Sequence, residues 1–326
     1  MTDFARQLAD VTSDFSGVVS VSRGADIVFE QAYGFADRAH AVPNTVDTRF
    51  AVASVTKGFT AVTVASLIGD GALEFDAPAR TLLGPDLPLI GPDVTVLHLL
   101  THTSGIGDYV DEELDAPEED YVLTVPVHTL ATTEGYLPAL DGIATKFPAG
   151  ERFSYCNSGF VVLALIAERA VGLGFHELVA ERVFAPAGMG RTAFLRTDDL
   201  PGDAAIGYLT DGRTNVLHLP VRGNGDGGAF TTVADLRQFW SALFDGRLLP
   251  LDVVNGMVDR ALTPTGEYGL GFWLAASGAP VRLEGGDVGV SALTLHDPGS
   301  GLTYSVLGNT GYGAAAVKRR LDALVG

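Results

Sequence analysis

Strand-like patterns stand at both ends of this chain with apolar helical stretches between them, and this arrangement limits the fold more than any other feature. Residues 17–34 alternate small polar residues with valine and turn back at Arg23-Gly24-Ala25-Asp26, as a half-buried hairpin does. Strand patterns return at 268–274, 281–283, 291–296 and 302–307, and a closing helix follows over 313–325. Residues 54–68 read as a helix with little polar face, stopped by Gly69 and Gly71, and 155–171 read as a second apolar helix. The expected fold is α+β, with one antiparallel sheet built from both chain ends and flanked by helices. A mostly helical second lobe and a cleft at the seam complete it. The boundaries follow: a single 1–326 unit with lobe one over about 1–70 and 205–326, and lobe two over about 71–204.

Composition excludes several function classes. The net charge of −19 makes the surface acidic, which repels nucleic acid and anionic membranes. A lone cysteine, Cys156, rules out an internal disulfide and a multi-cysteine metal site, and it reads as buried packing. The first residues carry no apolar leader and no run of eighteen apolar residues occurs, so the expectation is a soluble, cytoplasmic protein. Oligomeric state stays open.

The chemistry concentrates at Ser54-Val55-Thr56-Lys57. Positions i and i+3 share a helix face, so the hydroxyl and the amine can meet. A serine hydroxyl is a weak nucleophile until a base takes its proton, and lysine serves once burial favours its neutral form. A nucleophile at a helix start also places backbone N–H groups beside a developing oxyanion. The chain holds only three lysines, Lys57, Lys146 and Lys318, so chance pairing is uncommon. Other motifs carry less. His98-Leu99-Leu100-Thr101-His102 has helical metal-ligand spacing but neither a following Glu nor a third ligand. Gly223-Asn224-Gly225-Asp226-Gly227-Gly228 matches G-x-G-x-x-G but lacks its acidic partner, and reads as a loop at the cleft edge. Thr232-Val233-Ala234-Asp235 reads as a capping box, and the charged run 111–120 as a solvated loop. No G-x-S-x-G elbow is present.

Asp47 through Lys57, Leu99-Leu100-Thr101-His102-Thr103-Ser104-Gly105-Ile106 and Phe147 through Gly159 occur in order. Phe184-Ala185-Pro186-Ala187-Gly188-Met189 and 227–236 follow them. Together they resemble the penicillin-recognising serine hydrolases, the family of class C β-lactamases, D,D-carboxypeptidases, D-aminopeptidases and related esterases, from about residue 16 onward. The resemblance implies a β-lactamase-like fold, an acyl-enzyme on Ser54, Lys57 as base, and Tyr155-Cys156-Asn157 as the Tyr-x-Asn motif. There Tyr155 relays a proton and Asn157 orients lysine or substrate. It implies no cofactor and no metal. It puts Leu283 where the family has Lys or His, with Gly285 as the motif glycine and the Gly286 N–H as second oxyanion donor; a shift by one puts Glu284 there instead. Either way a cation that would hold a substrate carboxylate is missing. That favours small-molecule ester, amide or short-peptide substrates, with β-lactamase activity weak or absent. The alternatives are a non-catalytic acyl- or peptide-binding module of the same fold, a β-lactamase or D-aminopeptidase proper, and acyl transfer to an amine or alcohol.

Overall fold

A computed structural model describes residues 3–114, 122–263, 265–276 and 279–325. The six-stranded sheet comprises β1 (Gly17–Arg23), β2 (Asp26–Tyr33), β3 (Trp273–Leu274), β4 (Val281–Asp287), β5 (Val290–Asp297) and β6 (Leu302–Gly308). Its order is β2-β1-β6-β5-β4-β3, antiparallel throughout, so the amino-terminal hairpin docks on the last strand of the carboxy-terminal meander. The helices used below are α1 (Asp3–Leu8), α2 (Thr56–Gly69), α3 (Asn157–Val171), α4 (Phe175–Ala187), α5 (Val233–Phe244) and α6 (Ala314–Val325). The fold is β-lactamase-like, an antiparallel sheet from both chain ends flanked by helices.

Both faces of the central strands are covered. On one, Val19, Val21, Leu293, Leu295 and Val306 pack against Leu8 of α1 and Val317 and Leu321 of α6. On the other, Val18, Ala292, Leu283 and Leu307 join a large core with α2, α3 and α5. This coverage alters the reading of β1 as half-buried: Ser20 and Ser22 are buried too. Ser20 is tolerated because its hydroxyl donates to Glu30 (2.9 Å), which pairs with Arg237 of α5 (3.3 Å). The segment 268–274 also departs from expectation, since only Trp273 and Leu274 pair with β4. Gly271 takes φ +82° with its backbone against Lys57 and Ala61 of α2, so the chain turns there instead of running on as a strand.

Two helix starts are refined. Ser54 lies in a 3₁₀ turn, Ala53–Val55, that leads into α2. Tyr155 and Cys156 are extended and precede α3, with buried Cys156 as its N-cap. Thr232 caps α5 by accepting the Asp235 N–H (3.1 Å), but the Asp235 carboxylate turns away to Arg191 N–H and Thr192, leaving the box half formed. Among the described residues no single helix is long and apolar enough to cross a membrane.

A buried polar relay ties α5 to the sheet: Trp240 Nε1 donates to Thr294 Oγ1 (2.8 Å), which also bonds Ser305 Oγ (2.8 Å). Thr294 is fully buried. Thr294→Val keeps the shape and strips the indole N–H of its acceptor, so urea unfolding should show a loss of about 1–3 kcal/mol. A loss under about 0.5 kcal/mol would show that the relay does not anchor α5.

Candidate active site

Burial of α2 decides the chemistry of its one charged residue. Thr56 through Ala65 are all buried, so the Lys57 side chain runs through packed protein, and only 1% of the residue is exposed. An ammonium there needs acceptors for each of its three N–H groups. It finds them on three separate chain segments: Ser54 Oγ at 2.8 Å, Asn157 Oδ1 at 2.7 Å and the Asp226 carbonyl at 2.6 Å. Burial holds the Lys57 pKa below the ordinary lysine value, against the pull of the Asp226, Glu112 and Asp108 carboxylates.

Local geometry presents Ser54 to this amine. Ala53, just before it, has φ +43°, a left-handed conformation that non-glycine residues rarely adopt and that marks a strained turn at the head of α2. β4 runs beside that turn. A Cβ on Gly285 would sit 2.2 Å from the Val52 carbonyl oxygen and 2.9 Å from the Ser54 nitrogen, so only glycine allows this approach. Strand alternation turns Leu283 toward the same side as Gly285, where it is buried against Gly58 of α2. Glu284 points the other way and pairs with Arg282 (2.8 Å). Neither residue brings a cation to Ser54. Gly286 lies beside Gly285 on the wall of the same cleft.

Tyr155 stands on the other side of Ser54. Its ring is stacked between His102 (centroids 4.3 Å apart) and Trp273 (6.0 Å, planes 11° apart), and it passes over Lys57 Nζ at 4.9 Å. Burial raises the phenol pKa well above its ordinary value, as does the Glu112 charge, while the neighbouring Ser54 hydroxyl opposes them. His102 accepts the Cys156 N–H on Nδ1 (3.0 Å), so its proton sits on Nε2 and faces Tyr268 OH (3.1 Å). Burial keeps the ring neutral. His98 instead bonds Thr95, so the two histidines of the 98–102 motif turn to different partners.

The structure therefore brings Ser54, Lys57, Tyr155, Asn157, Gly285 and Gly286 to one place. It adds residues that the sequence reading missed. Asp226, inside the G-x-G-x-x-G loop, contributes its carbonyl to Lys57 and its carboxylate to Tyr109 OH (2.6 Å). Asp108 accepts the N–H groups of Asn157 and Ser158 (both 2.8 Å), supplying the anionic cap that α3 lacks in its own sequence. The acidic run 111–120, read as a solvated loop, is exposed at Glu112, Glu113 and Leu114, and its described part also forms the rim of the cleft. Glu112 accepts from Asn157 Nδ2 (3.1 Å), Asp111 pairs with Lys146 (2.7 Å), and Glu113 pairs with Arg152 (3.0 Å). Residues 115–120 of that run lie outside the described residues. The resulting cleft, about 980 Å³, is lined by residues from the helical middle and from the sheet, and it continues past Tyr312 to Arg319 of α6.

Known proteins share this fold. Residues 4–326 match the family described as Beta-lactamase. The chain belongs to that family, whose members include serine hydrolases such as D-aminopeptidase. The crystal structure of a penicillin-binding protein from Bacillus halodurans superimposes with a TM-score of 0.91 at 36% identity, covering 98% of this chain and 99% of that one. Penicillin-binding protein 4* of Bacillus subtilis is 28% identical over 86% of this chain and 65% of its own length. The D-aminopeptidase of Brucella anthropi is 30% identical over 86% of this chain and 53% of its own length. The chain thus spans between about half and two thirds of these two curated relatives.

The carboxyl that caps α3 gives a pH signature. Burial pushes the Asp108 pKa up to about 6, against the bonds from Ser158 and Asn157, while the unfolded value is about 3.9. The native state therefore holds the proton more tightly, and the stability that this carboxyl contributes falls as pH rises from about 4 through 6. Urea melts of wild type and Asp108→Asn across pH 4–8 should show wild type losing ground to the variant up to about pH 6 and a constant difference above pH 7. A constant difference across the whole range would contradict the assignment.

Proposed function

We propose that this member of the family is an amide or ester hydrolase that works through an acyl-enzyme on Ser54. The observation that carries the reading is the set of partners around Lys57 Nζ. A neutral lysine amine has two N–H groups and one lone pair. Asn157 Oδ1 and the Asp226 carbonyl can only accept, so they take the two N–H groups and leave the lone pair facing Ser54 Oγ. Lys57 then takes the Ser54 proton as Oγ bonds the acyl carbon. The carbonyl oxygen, now anionic, is met by the N–H groups of Ser54 and Gly286. Tyr155, between Lys57 and the open cleft, passes the proton to the leaving amine or alcohol as the acyl–leaving-group bond breaks. Water then attacks the acyl-enzyme by the reverse proton path and frees the acid and Ser54. On this reading the cleft is the seam between lobe one (about 1–70 and 205–326) and lobe two (about 71–204).

Charge narrows the substrate. Leu283, on the same strand face as Gly285 and buried against Gly58, offers no counter-ion to a substrate carboxylate. Glu112 instead brings a negative charge to the rim beside Asn157. Close to Ser54 that charge disfavours carboxylate-bearing lactams and favours acyl groups that are neutral or carry an amine, while the cations Lys318 and Arg319 line the cleft farther along α6. The D-aminopeptidase relative supports D-aminoacyl amides or esters within this class.

Mixing the protein with a p-nitrophenyl ester of a small acyl group should release a stoichiometric burst of p-nitrophenol and leave the acyl mass on the peptide containing Ser54. Ser54→Ala should abolish both, and Lys57→Met should slow acylation by about 10²–10⁴-fold. Absence of burst and adduct, or a Ser54→Ala variant that keeps them, would overturn the reading and favour a binding module of the same fold.

A further inference from the structure

A second groove, about 510 Å³, takes Glu168 near the end of α3, whereas the cleft takes Asn157 at its start, and it opens between α4, Thr132–Thr133 and Thr192–Phe194. Phe175, Phe184 and Phe194 line its body, with His176 stacked on Phe194 (centroids 4.7 Å apart); Glu168, which accepts the Phe175 N–H (3.0 Å), and Glu177 line it too, and neither forms an ion pair with Arg222. α4 passes through a π-helical turn at Ala180–Phe184 along this wall, a rare conformation that is enriched at binding sites. Into the groove comes Arg222, half-buried. Among the described residues its guanidinium makes one hydrogen bond, from Nε to the Phe194 carbonyl (3.0 Å), and no ion pair. Its neighbour Arg196 is spoken for by Asp198 (2.8 Å) and repels it. In a chain of net charge −19, a half-buried arginine with no counter-ion leaves a fork of N–H donors suited to one planar carboxylate.

The groove is also wired to the active-site lysine. His176 Nε2 donates to the Gly223 carbonyl (2.8 Å). Gly223 opens the tight loop, closed by the Asn224 N–H to Gly227 carbonyl bond (2.9 Å), whose Asp226 carbonyl holds Lys57 Nζ. Arg222 immediately precedes that loop. Any ligand that shifts Arg222 or His176 therefore pulls on one of the three acceptors that orient the amine.

We propose that this groove binds a small organic carboxylate with an apolar body, its carboxylate on Arg222 and its body against Phe175, Phe184 and Phe194, and that occupancy is transmitted through Gly223–Asp226 to Lys57. The groove shares no lining residue with the cleft, so the proposal stands or falls apart from the nucleophilic role of Ser54.

The test is binding of phenylacetate to the full chain by calorimetry, with ¹⁵N-lysine-labelled protein to follow the Lys57 side chain. Expected are saturable binding, at least about 10-fold weaker binding of the neutral isostere phenylacetamide, and at least about 10-fold weakening in R222Q with an unchanged melting curve. The Lys57 Nζ signal should move on saturation while that of Lys318, which pairs with Asp322 and does not line this groove, stays put. If R222Q fails to fold, the comparison of phenylacetate with phenylacetamide on wild type decides. Absence of binding, equal affinity for the two compounds, or unaltered binding by a folded R222Q would overturn the site. Binding that leaves the Lys57 signal fixed would overturn the transmission.

Discussion

A lysine amine sealed inside an apolar helix depends on finding acceptors, and the rest of this structure is arranged to supply them. Each of the three comes from a different part of the chain: Ser54 from the turn before α2, Asn157 from the first turn of α3, and Asp226 from a glycine-rich loop some seventy residues further on. Burial makes the charged form costly and the three acceptors make it bearable. The balance leaves the amine's pKa below the ordinary lysine value. Remove one acceptor and a buried donor is stranded, which costs more than the bond itself contributes. The same bonds that tune the amine therefore also fasten α2, α3 and the 223–228 loop to one another.

The sheet fixes the other half of the geometry. Because β4 is an inner strand between β3 and β5, its backbone is held by ladders on both sides, and Gly285 lets it press against the backbone of the Ser54 turn. A rigid strand against a strained turn preorganises the N–H groups of that corner without side chains. Leu283, packed on Gly58, shows the cost of the same close approach: the strand face that could carry a cation is part of the core. The acidic loop and the apolar strand bring no cation to Ser54, and Lys318 and Arg319 line the cleft only farther along α6.

Much of this was legible in the sequence because it is written in residue types at short spacing. Ser54 and Lys57 meet as an i, i+3 pair must, and period-two patterns at 17–34 and 281–307 marked the strands at both chain ends. What stayed hidden is carried by backbone atoms and long-range contacts. The Asp226 carbonyl has no residue-type signature, and the Asp108 cap on α3 comes from a segment about fifty residues earlier. The charged run beginning at Asp111 reads as solvent-facing by composition, and Glu112, Glu113 and Leu114 are exposed; what composition could not show is that Asn157, Lys146 and Arg152 each supply a partner that holds its first residues at the cleft rim. At 268–274 the aromatic pattern suggests a strand, but the backbone of Gly271 must pass against α2 and turns instead.

The most direct measurement is the titration of the lysine side chains themselves, which is practical because the chain has only three. In protein labelled with ¹⁵N at lysine Nζ, the account predicts that Lys57 loses its proton below the ordinary lysine value. Lys146 should titrate above that value, because its bonds to Asp111 and Glu113 outweigh the opposing effect of burial. A Lys57 signal that titrates together with Lys146, or above it, would contradict the account, because an amine that stays charged cannot take the proton of Ser54.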